Sequence, residues 1–114
     1  MYQISVVIPV FNKRATLERA CSSVILQQNV AVEIIVVDDG STDGSINQLP
    51  IHIKKSIRLI QQNNAGVSSA RNIGAACSSA PLIAFLDADD EFLPGALEVF
   101  CELALKYQEA SFFS

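Results

Sequence analysis

The chain has 114 residues, the length of a single domain, and 50% of them are hydrophobic, so it can build a packed core. Eight basic against twelve acidic residues give a net charge of -4, which argues against nucleic acid as a partner because no excess of basic side chains can neutralise phosphates. No apolar run approaches the roughly 20 residues that span a bilayer. The N-terminus shows no secretory signal.

Cysteine and histidine usage argues against a disulfide framework and against a zinc site. The three cysteines Cys21, Cys77 and Cys101 are odd in number and form no CxxC pair. We expect small buried thiols that stay reduced, which favours a cytoplasmic location, including peripheral association with the inner face of the membrane. The only histidine, His52, cannot supply a multi-histidine metal site, and we expect it on the surface or in a loop.

Hydrophobic periodicity alternates between that of strands and that of helices along the whole chain. The predicted strands are 4–10, 32–37, 57–60 and 82–86. The predicted helices are 13–28, a short one from a cap at Ser41 or Thr42 to a stop at Pro50, then 66–77 and 94–107. Residues 110–114 (ASFFS) are expected to begin another strand.

The order of these elements predicts an α/β fold. Strands that are apolar on both faces are typical of a parallel sheet, so we expect a Rossmann-like, mostly parallel sheet with helices on both faces. Residues 1–114 would form a single domain. Because the sequence ends where a strand should begin, we expect the domain to be truncated, with a frayed natural tail as the alternative.

The aspartates are concentrated directly after two of the predicted strands. They are Asp38, Asp39, Asp43, Asp87, Asp89 and Asp90. In a parallel sheet both groups reach the same carboxyl edge, where open α/β sheets bind ligands, and Asn12 joins them from the first strand. Aspartate is also common in turns and helix caps, so either group alone would be weak evidence for a site.

Two groups of carboxylates at one edge favour a cation between them, because like charges at short range repel each other. Carboxylates that share a cation with a diphosphate suit Mg²⁺ or Mn²⁺. Asp87 and Asp89 are spaced by one residue, which in extended chain places both side chains on the same side.

Other nucleotide and hydrolase motifs are absent from the sequence. The turn after the first strand has no glycine, which argues against the usual dinucleotide fingerprint. No GxxxxGK[ST] loop is present, and the centre of GSTDG (40–44) is Thr42 rather than a serine nucleophile.

Four blocks together resemble the nucleotide-binding half of family 2 glycosyltransferases with the GT-A fold. They are VVIPVFN (6–12), VVDDGSTD (36–43), NNAGVSSARNIG (63–74) and FLDADD (85–90). The blocks occur in the order typical of the family and extend over residues 4–100. The resemblance implies an enzyme that transfers a sugar from a nucleotide-diphosphate donor, with a UDP-sugar favoured, to an acceptor hydroxyl of unknown identity.

The resemblance also implies roles for individual residues. Asp39 would accept a hydrogen bond from the base, Asp38 would support the turn, and Arg71 would contact the base or the diphosphate. Asp87 would hold the ribose or the sugar, and Asp89 would ligate the metal. The residues implied to line the rest of the donor pocket are Pro9, Val10, Phe11, Asn12 and Ala88. Many members have tyrosine where this chain has Phe11.

The sequence departs from the family pattern after the fourth block. Family members continue well beyond this length, and their second half carries the acceptor pocket and the general base. Glu98, Glu102 and Glu109 have ordinary surface spacing on a helix, so we expect no catalytic residue here and a general base beyond Ser114. The resemblance thus implies an inverting, metal-dependent transferase whose donor-binding part is this chain, which alone would be inactive.

Two alternatives remain at the level of sequence. The chain could be a non-catalytic module that binds a nucleotide sugar. It could also be another metal-carboxylate α/β domain, although a receiver domain would place its acidic pair after the first strand and a Toprim domain would have glutamate where Asn12 stands. We also expect exposed apolar surface where a second half would dock, and dimerisation through that surface.

Overall fold

The structure is a computed structural model that describes the backbone of residues 1–113 and the side chains of residues 1–107. Strands and helices alternate throughout the described chain. In order they are β1 (Ile4–Val10), α1 (Leu17–Ile25), β2 (Val32–Asp38), α2 (Ile51–Lys54), β3 (Arg58–Gln61), α3 (Val67–Ala76), β4 (Leu82–Phe85) and α4 (Ala96–Phe113).

The four strands form one parallel sheet in the order β3-β2-β1-β4. Strand β1 lies between β2 and β4, and its first residue, Ile4, pairs with Val32 on one side and Leu82 on the other. Because every strand runs in the same direction, all four carboxyl ends lie along one edge of the sheet. The predicted α/β class with a parallel sheet is confirmed.

Alternating side chains of the central strands build two cores, one on each face of the sheet. On one face Val6 and Ile8 pack in a cluster that contains Leu17 of α1 and Leu97 of α4. On the other face the cluster of Val7, Ile35, Val37 and Ala70 lies beneath α3. The helices therefore cover both faces, as the apolar strands predict.

Gly74 allows α3 to lie close against the sheet. A Cβ atom at this position would stand 2.3 Å from Cγ1 of Val7 and 3.2 Å from Cγ2 of Val37. These distances leave no space for a methyl group, so helix α3 approaches β1 and β2 through the missing side chain.

Two predicted elements are wrong. Residues 41–50 form turns instead of a helix, and Pro50 starts α2 instead of stopping an earlier helix. Proline suits a helix start because its fixed φ, here -58°, matches the helix and its missing N–H is not needed there. His52 lies exposed on α2.

Residues 110–113 continue α4 and do not begin a strand, while Ser114 lies outside the described residues. A strand must find a partner for its backbone groups, whereas a helix pairs them within the segment. At the other boundary α1 begins at Leu17 and not at 13, because the N–H groups of Thr16 and Leu17 both donate to the carbonyl of Lys13 in a preceding turn.

A buried polar group joins the strands at the amino edge of the sheet. Oε1 of Glu33 accepts hydrogen bonds from the Ser5 hydroxyl at 2.7 Å and from the Ser79 amide at 2.9 Å. Burial acts to raise the pKa of Glu33, but these hydrogen bonds and the charge of Arg58 outweigh it and lower the pKa below 4.5. The carboxylate thus ties β2 to β1 and to the loop before β4.

Two of the three cysteines, Cys21 and Cys101, are buried as expected, whereas Cys77 departs from the expectation. Burial raises the pKa of Cys21 to about 11 and also raises that of Cys101, while Cys77 is partly exposed. All three are free thiols. Among the described helices, none combines the length and the apolar character that crossing a membrane requires.

Candidate functional site

A cleft of about 340 Å³ opens at the carboxyl edge of the sheet. It is lined by Pro9, Val10, Phe11, Lys13, Asp39, Val67, Ala70, Asp87, Ala88 and Asp89. The end of β1 supplies its first residues, the start of α3 one wall, and the segment after β4 the other. Of the positions predicted from sequence, the structure brings together Pro9, Val10, Phe11, Asp39, Asp87, Ala88 and Asp89.

Asp39 is the buried carboxylate of this cleft, and it organises the loop before α3. Its Oδ1 accepts hydrogen bonds from Nε2 of Gln62 and the amide of Ala65, both at 2.8 Å. Its Oδ2 accepts one from the amide of Gly66 at 3.0 Å. The bond from Ala65 and that from Gln62 lower the pKa of Asp39 below 3.8 and outweigh its burial, so the group is ionised near neutral pH.

Gly66 presents its amide to Asp39 because its backbone can adopt a φ of +99°. This conformation is open to glycine and rare for residues with a side chain. A side chain at this position would meet no neighbour within 4 Å, so the requirement for glycine is one of backbone conformation alone. The turn brings the start of α3 to the carboxylate, where the helix dipole also favours a negative charge.

Asp87 and Asp89 each form an ion pair with a basic side chain from another element. Oδ1 of Asp87 lies 3.2 Å from Nη2 of Arg71 on α3. Oδ2 of Asp89 lies 3.5 Å from Nζ of Lys13 in the turn after β1. The aspartate side chains are 60% and 56% exposed, so both carboxylates remain accessible from solvent.

Asp38 and Asn12 lie beside the cleft and do not line it. Asp38 accepts a hydrogen bond from the amide of Ser41 at 3.1 Å, which supports the turn after β2. Asn12 has a φ of 52°, and its Oδ1 accepts a hydrogen bond from the amide of Thr42 at 2.8 Å. Asn12 thus joins the loops after β1 and β2, whereas the contact of Asp38 is local to the turn after β2. Arg71 likewise reaches the site through Asp87 and is not among the lining residues.

Sequence reasoning missed three lining residues, Lys13, Val67 and Ala70. Lys13 stands in the turn directly after β1, so its position at the carboxyl edge could have been anticipated. Val67 and Ala70 are three apart at the start of α3, a spacing that places both on one face of a helix.

The four carboxylates at this edge have separate partners. Asp38 supports a turn, Asp39 binds backbone amides, and Asp87 and Asp89 have separate cationic partners. Within residues 1–107 no group of three histidine, cysteine or acidic side chains could hold a metal ion by itself. Asp87 and Asp89 fit Mg²⁺ or Mn²⁺ in another way, because such ions bind one or two carboxylates together with substrate phosphates.

The fold and the cleft define an α/β domain with a ligand site at the carboxyl edge of a parallel sheet, which is the usual position in open α/β proteins. Residues 5–113 match the glycosyl transferase family 2. The chain belongs to this family, and the resemblance of its four sequence blocks is confirmed.

Curated relatives of this chain are named as glycosyltransferases. It is 38% identical over 106 residues to the uncharacterized glycosyltransferase YibD of Escherichia coli K12, covering 91% of this chain and 31% of YibD. It is 36% identical over 108 residues to glycosyltransferase GlyA of Streptococcus pneumoniae, covering 93% of this chain and 16% of GlyA. The chain thus spans about a third or less of these relatives.

Solved structures of two proteins share the fold. Staphylococcus aureus TarS 1-349 in complex with UDP-GlcNAc has a TM-score of 0.81 at 23% identity, over 93% of this chain and 32% of that one. The mannosyltransferase PcManGT of Pyrobaculum calidifontis, in complex with GDP-Man and Mn²⁺, has a TM-score of 0.72 at 20% identity, over 80% of this chain and 28% of that one. These likenesses confirm the GT-A type of fold.

Proposed function

We propose that this chain is the donor-binding part of a metal-dependent, inverting glycosyltransferase that uses a nucleotide-diphosphate sugar. The observation that carries the proposal is the cleft at the carboxyl edge, which combines an apolar wall, a buried ionised carboxylate and two accessible carboxylates. These features match the three parts of the donor, namely the base, the diphosphate and the sugar.

The base would bind between Phe11 and Asp39. Phe11 is 45% exposed, so part of its ring is free to pack against a planar base. Oδ1 of Asp39 already accepts two hydrogen bonds, but Oδ2 accepts one and has capacity for another. The N3–H of uracil is a suitable donor, and we favour a UDP-sugar. Thymine and guanine also present a ring N–H, so this acceptor alone does not select the base.

The diphosphate would bind near Asp89, which would hold Mg²⁺ or Mn²⁺ together with phosphate oxygens, while Asp87 would contact the ribose or the sugar. When bound, such an ion stabilises the negative charge that develops on the leaving diphosphate. Arg71 holds Asp87 in place through the contact of 3.2 Å. Substrate binding and orientation are thus the tasks of this chain.

The general base that activates the acceptor hydroxyl would lie outside this sequence. Glu98 on α4 accepts a hydrogen bond from Asn29 at 3.2 Å. Asn29 lies in the loop before β2, at the amino edge of the sheet, so Glu98 is away from the cleft. The relatives are about three or more times longer than the aligned segment, which leaves ample room for an acceptor domain. We therefore expect donor binding without turnover by these 114 residues.

Calorimetric titration with UDP, with Mn²⁺ and then with EDTA, tests this function. We expect binding that weakens when the metal is removed and that is weakened by Asp89→Asn. Glu91→Gln is the matched control, because it removes the same charge two residues away, from an exposed side chain that does not line the cleft. Equal UDP affinity in wild type and Asp89→Asn with Mn²⁺ present would refute the metal role, and absence of UDP and GDP binding would refute a donor site in this chain.

A non-catalytic nucleotide-sugar-binding module is the second candidate, because the same cleft would serve it. Turnover by a longer chain that includes these residues distinguishes the two. Release of UDP that depends on an acceptor supports the transferase. Donor binding with no release in the presence of any hydroxyl acceptor supports the module.

Two further proposals concern the oligomeric state and the cellular location of the protein. Ile83 and Phe85 are exposed apolar side chains on one face of the edge strand β4, and we propose dimerisation through this surface. Light scattering that shows only monomer at high concentration would contradict it. We also propose a cytoplasmic location with peripheral membrane association, which fractionation of cells and binding to anionic vesicles would test.

A further inference from the structure

Lys13 is the only basic residue among the described residues that line the cleft. Its Nζ lies 3.5 Å from Oδ2 of Asp89, and the two side chains are 43% and 56% exposed. Charge-assisted hydrogen bonds of good geometry are shorter, about 2.7–2.9 Å. An exposed ion pair at this longer distance contributes little to stability, so its partners can separate at small cost.

The backbones on both sides of this pair are fixed by contacts that do not involve the two charges. The amide of Lys13 donates to Oγ of Ser45 at 3.0 Å. On the other side, the carbonyl of Ala88 accepts a hydrogen bond from Thr16 at 2.8 Å and that of Asp89 accepts one from Arg19 at 3.2 Å. Loss of the ion pair would therefore leave the walls of the cleft in place.

We propose that Lys13 is the counter-ion of Asp89 before the donor binds and moves to a phosphate of the donor when Asp89 takes up a divalent cation. This inference rests on the proposed function. Asp89 Oδ2 cannot hold an ammonium group and a metal ion at the same position, so the two cations compete. The lysine side chain is a flexible four-carbon stem on a fixed backbone. Its displaced ammonium can therefore reach a phosphate that binds in the cleft.

This exchange, in which a divalent cation replaces Lys13 at Asp89 and Lys13 moves to the donor, explains how a cleft with three carboxylates can accept an anionic donor. Asp39, Asp87 and Asp89 are all lining residues, and a diphosphate would be repelled by them without nearby positive charge. Arg71 already neutralises Asp87, so Lys13 is the lining cation that remains for the donor. Lys13 is thus a binding and positioning residue for the donor.

This role predicts opposite effects of one substitution on two ligands. Lys13→Met keeps the aliphatic stem and removes the charge. Two carboxylates without phosphate bind Mn²⁺ weakly, and this weak affinity should rise about twofold to fivefold in Lys13→Met, because the competing ammonium is gone. UDP with Mn²⁺ present should bind about tenfold more weakly, because the contact of the displaced lysine to phosphate is lost. A merely structural lysine would change both affinities in the same direction or not at all.

The experiment measures Mn²⁺ binding by electron paramagnetic resonance and UDP binding with Mn²⁺ present by calorimetry. Lys13→Arg should retain UDP binding, and Lys55→Met is the matched control, since Lys55 lies exposed at the end of α2, outside the cleft. Circular dichroism and the thermal midpoint show whether Lys13→Met is folded. Tighter Mn²⁺ binding with weaker UDP binding supports the exchange. Unchanged or weaker Mn²⁺ binding by the folded variant, or unchanged UDP binding, overturns it.

Failure of the exchange and failure of the proposed function give different results. If wild type binds neither UDP nor GDP under any condition, the donor site itself is refuted, and the inference falls with it. If wild type binds UDP and Lys13→Met binds it equally well, the donor site stands and only the role of Lys13 is wrong.

Discussion

Replacement of Asp39 by asparagine should destabilise the domain in a way that depends on pH. The two backbone donors that face this side chain contact different oxygens, since Ala65 donates to Oδ1 and Gly66 to Oδ2. An asparagine has one oxygen, so either orientation of its amide places an NH₂ group against a backbone N–H. Gln62 could rotate its own amide to adapt, but the two backbone groups cannot.

The magnitude follows from the loss of one hydrogen bond to a charged acceptor in a residue that is only 4% exposed. Such a loss, with a buried donor left unpaired, costs about 2 kcal/mol. For a domain of this size the thermal midpoint should fall by about 8 °C. Urea unfolding at pH 7 measures the difference in free energy of unfolding directly.

The pH dependence gives the sharper test. The pKa of Asp39 in the folded state is lowered below its ordinary 3.8. Its contribution to stability is therefore fully present above the unfolded pKa and is lost as pH falls through the folded pKa. The difference in free energy of unfolding between wild type and Asp39→Asn should become smaller below pH 3.8. At such pH values Asp39 is protonated and, like asparagine, places a hydrogen-bond donor against a backbone N–H.

Asp90→Asn is the matched control for this experiment. Asp90 is exposed, and its carboxylate accepts only a local hydrogen bond from the amide of Glu91. We expect it to change the free energy of unfolding by less than about 0.5 kcal/mol. A stability of Asp39→Asn equal to wild type at pH 7, or a gap that stays constant through acid, would refute the reasoning from the two backbone donors.

Three further predictions concern the core, the amino edge and the thiols. Gly74→Ala should destabilise the domain by about 1–3 kcal/mol, because the new methyl group clashes with Val7. Val7→Ala in the same chain should recover part of this loss. If urea titrations show that the two substitutions have additive effects on the free energy of unfolding, the contact is disproved. Glu33→Gln should lower the free energy of unfolding by about 1 kcal/mol at pH 7. This difference from wild type should disappear as the pH falls through the lowered pKa of Glu33. A difference at pH 3 equal to that at pH 7 would argue against this role of the carboxylate. With Ellman's reagent at pH 8, Cys77 should react in the folded protein, whereas Cys21, whose burial raises its pKa to about 11, should react only in denaturant.

The strands were predictable because burial on both faces leaves a sequence signature. The predicted strand 32–37 falls one residue short of β2, and 4–10 matches β1. Strands β1 and β2 are buried, whereas β3 and β4 at the edges of the sheet are partly exposed. Because all four strands alternate with helices, parallel pairing and a shared carboxyl edge follow from chain connectivity. The role of Pro50 could not be read in the same way, because proline both ends and begins helices and only the backbone before it decides which.

The candidate site was predictable in position and less so in its contacts. Neighbours in a strand point to opposite sides, so periodicity alone does not say whether Asp38 or Asp39 faces the cleft. The family resemblance favoured Asp39 for the contact with the base, and Asp39 is the one that lines the cleft. The partners of Asp87 and Asp89 come from α3 and from the turn after β1, at sequence distances of 16 and 76 residues. Local patterns carry no information about such distant pairs, so the sequence indicated the acidic residues at this edge but not the basic partner of each.

The cleft combines buried residues that belong to the core with exposed carboxylates at its rim. Pro9 and Val10 belong to the fully buried central strand, and Asp39 is fixed by three hydrogen bonds, so changes there alter folding and binding together. Asp87 and Asp89 are more than half exposed, so substitutions there should leave the free energy of unfolding nearly unchanged and alter ligand binding alone. Because the two groups of positions differ in burial, stability and ligand affinity measured on the same variants separate the fold from the function.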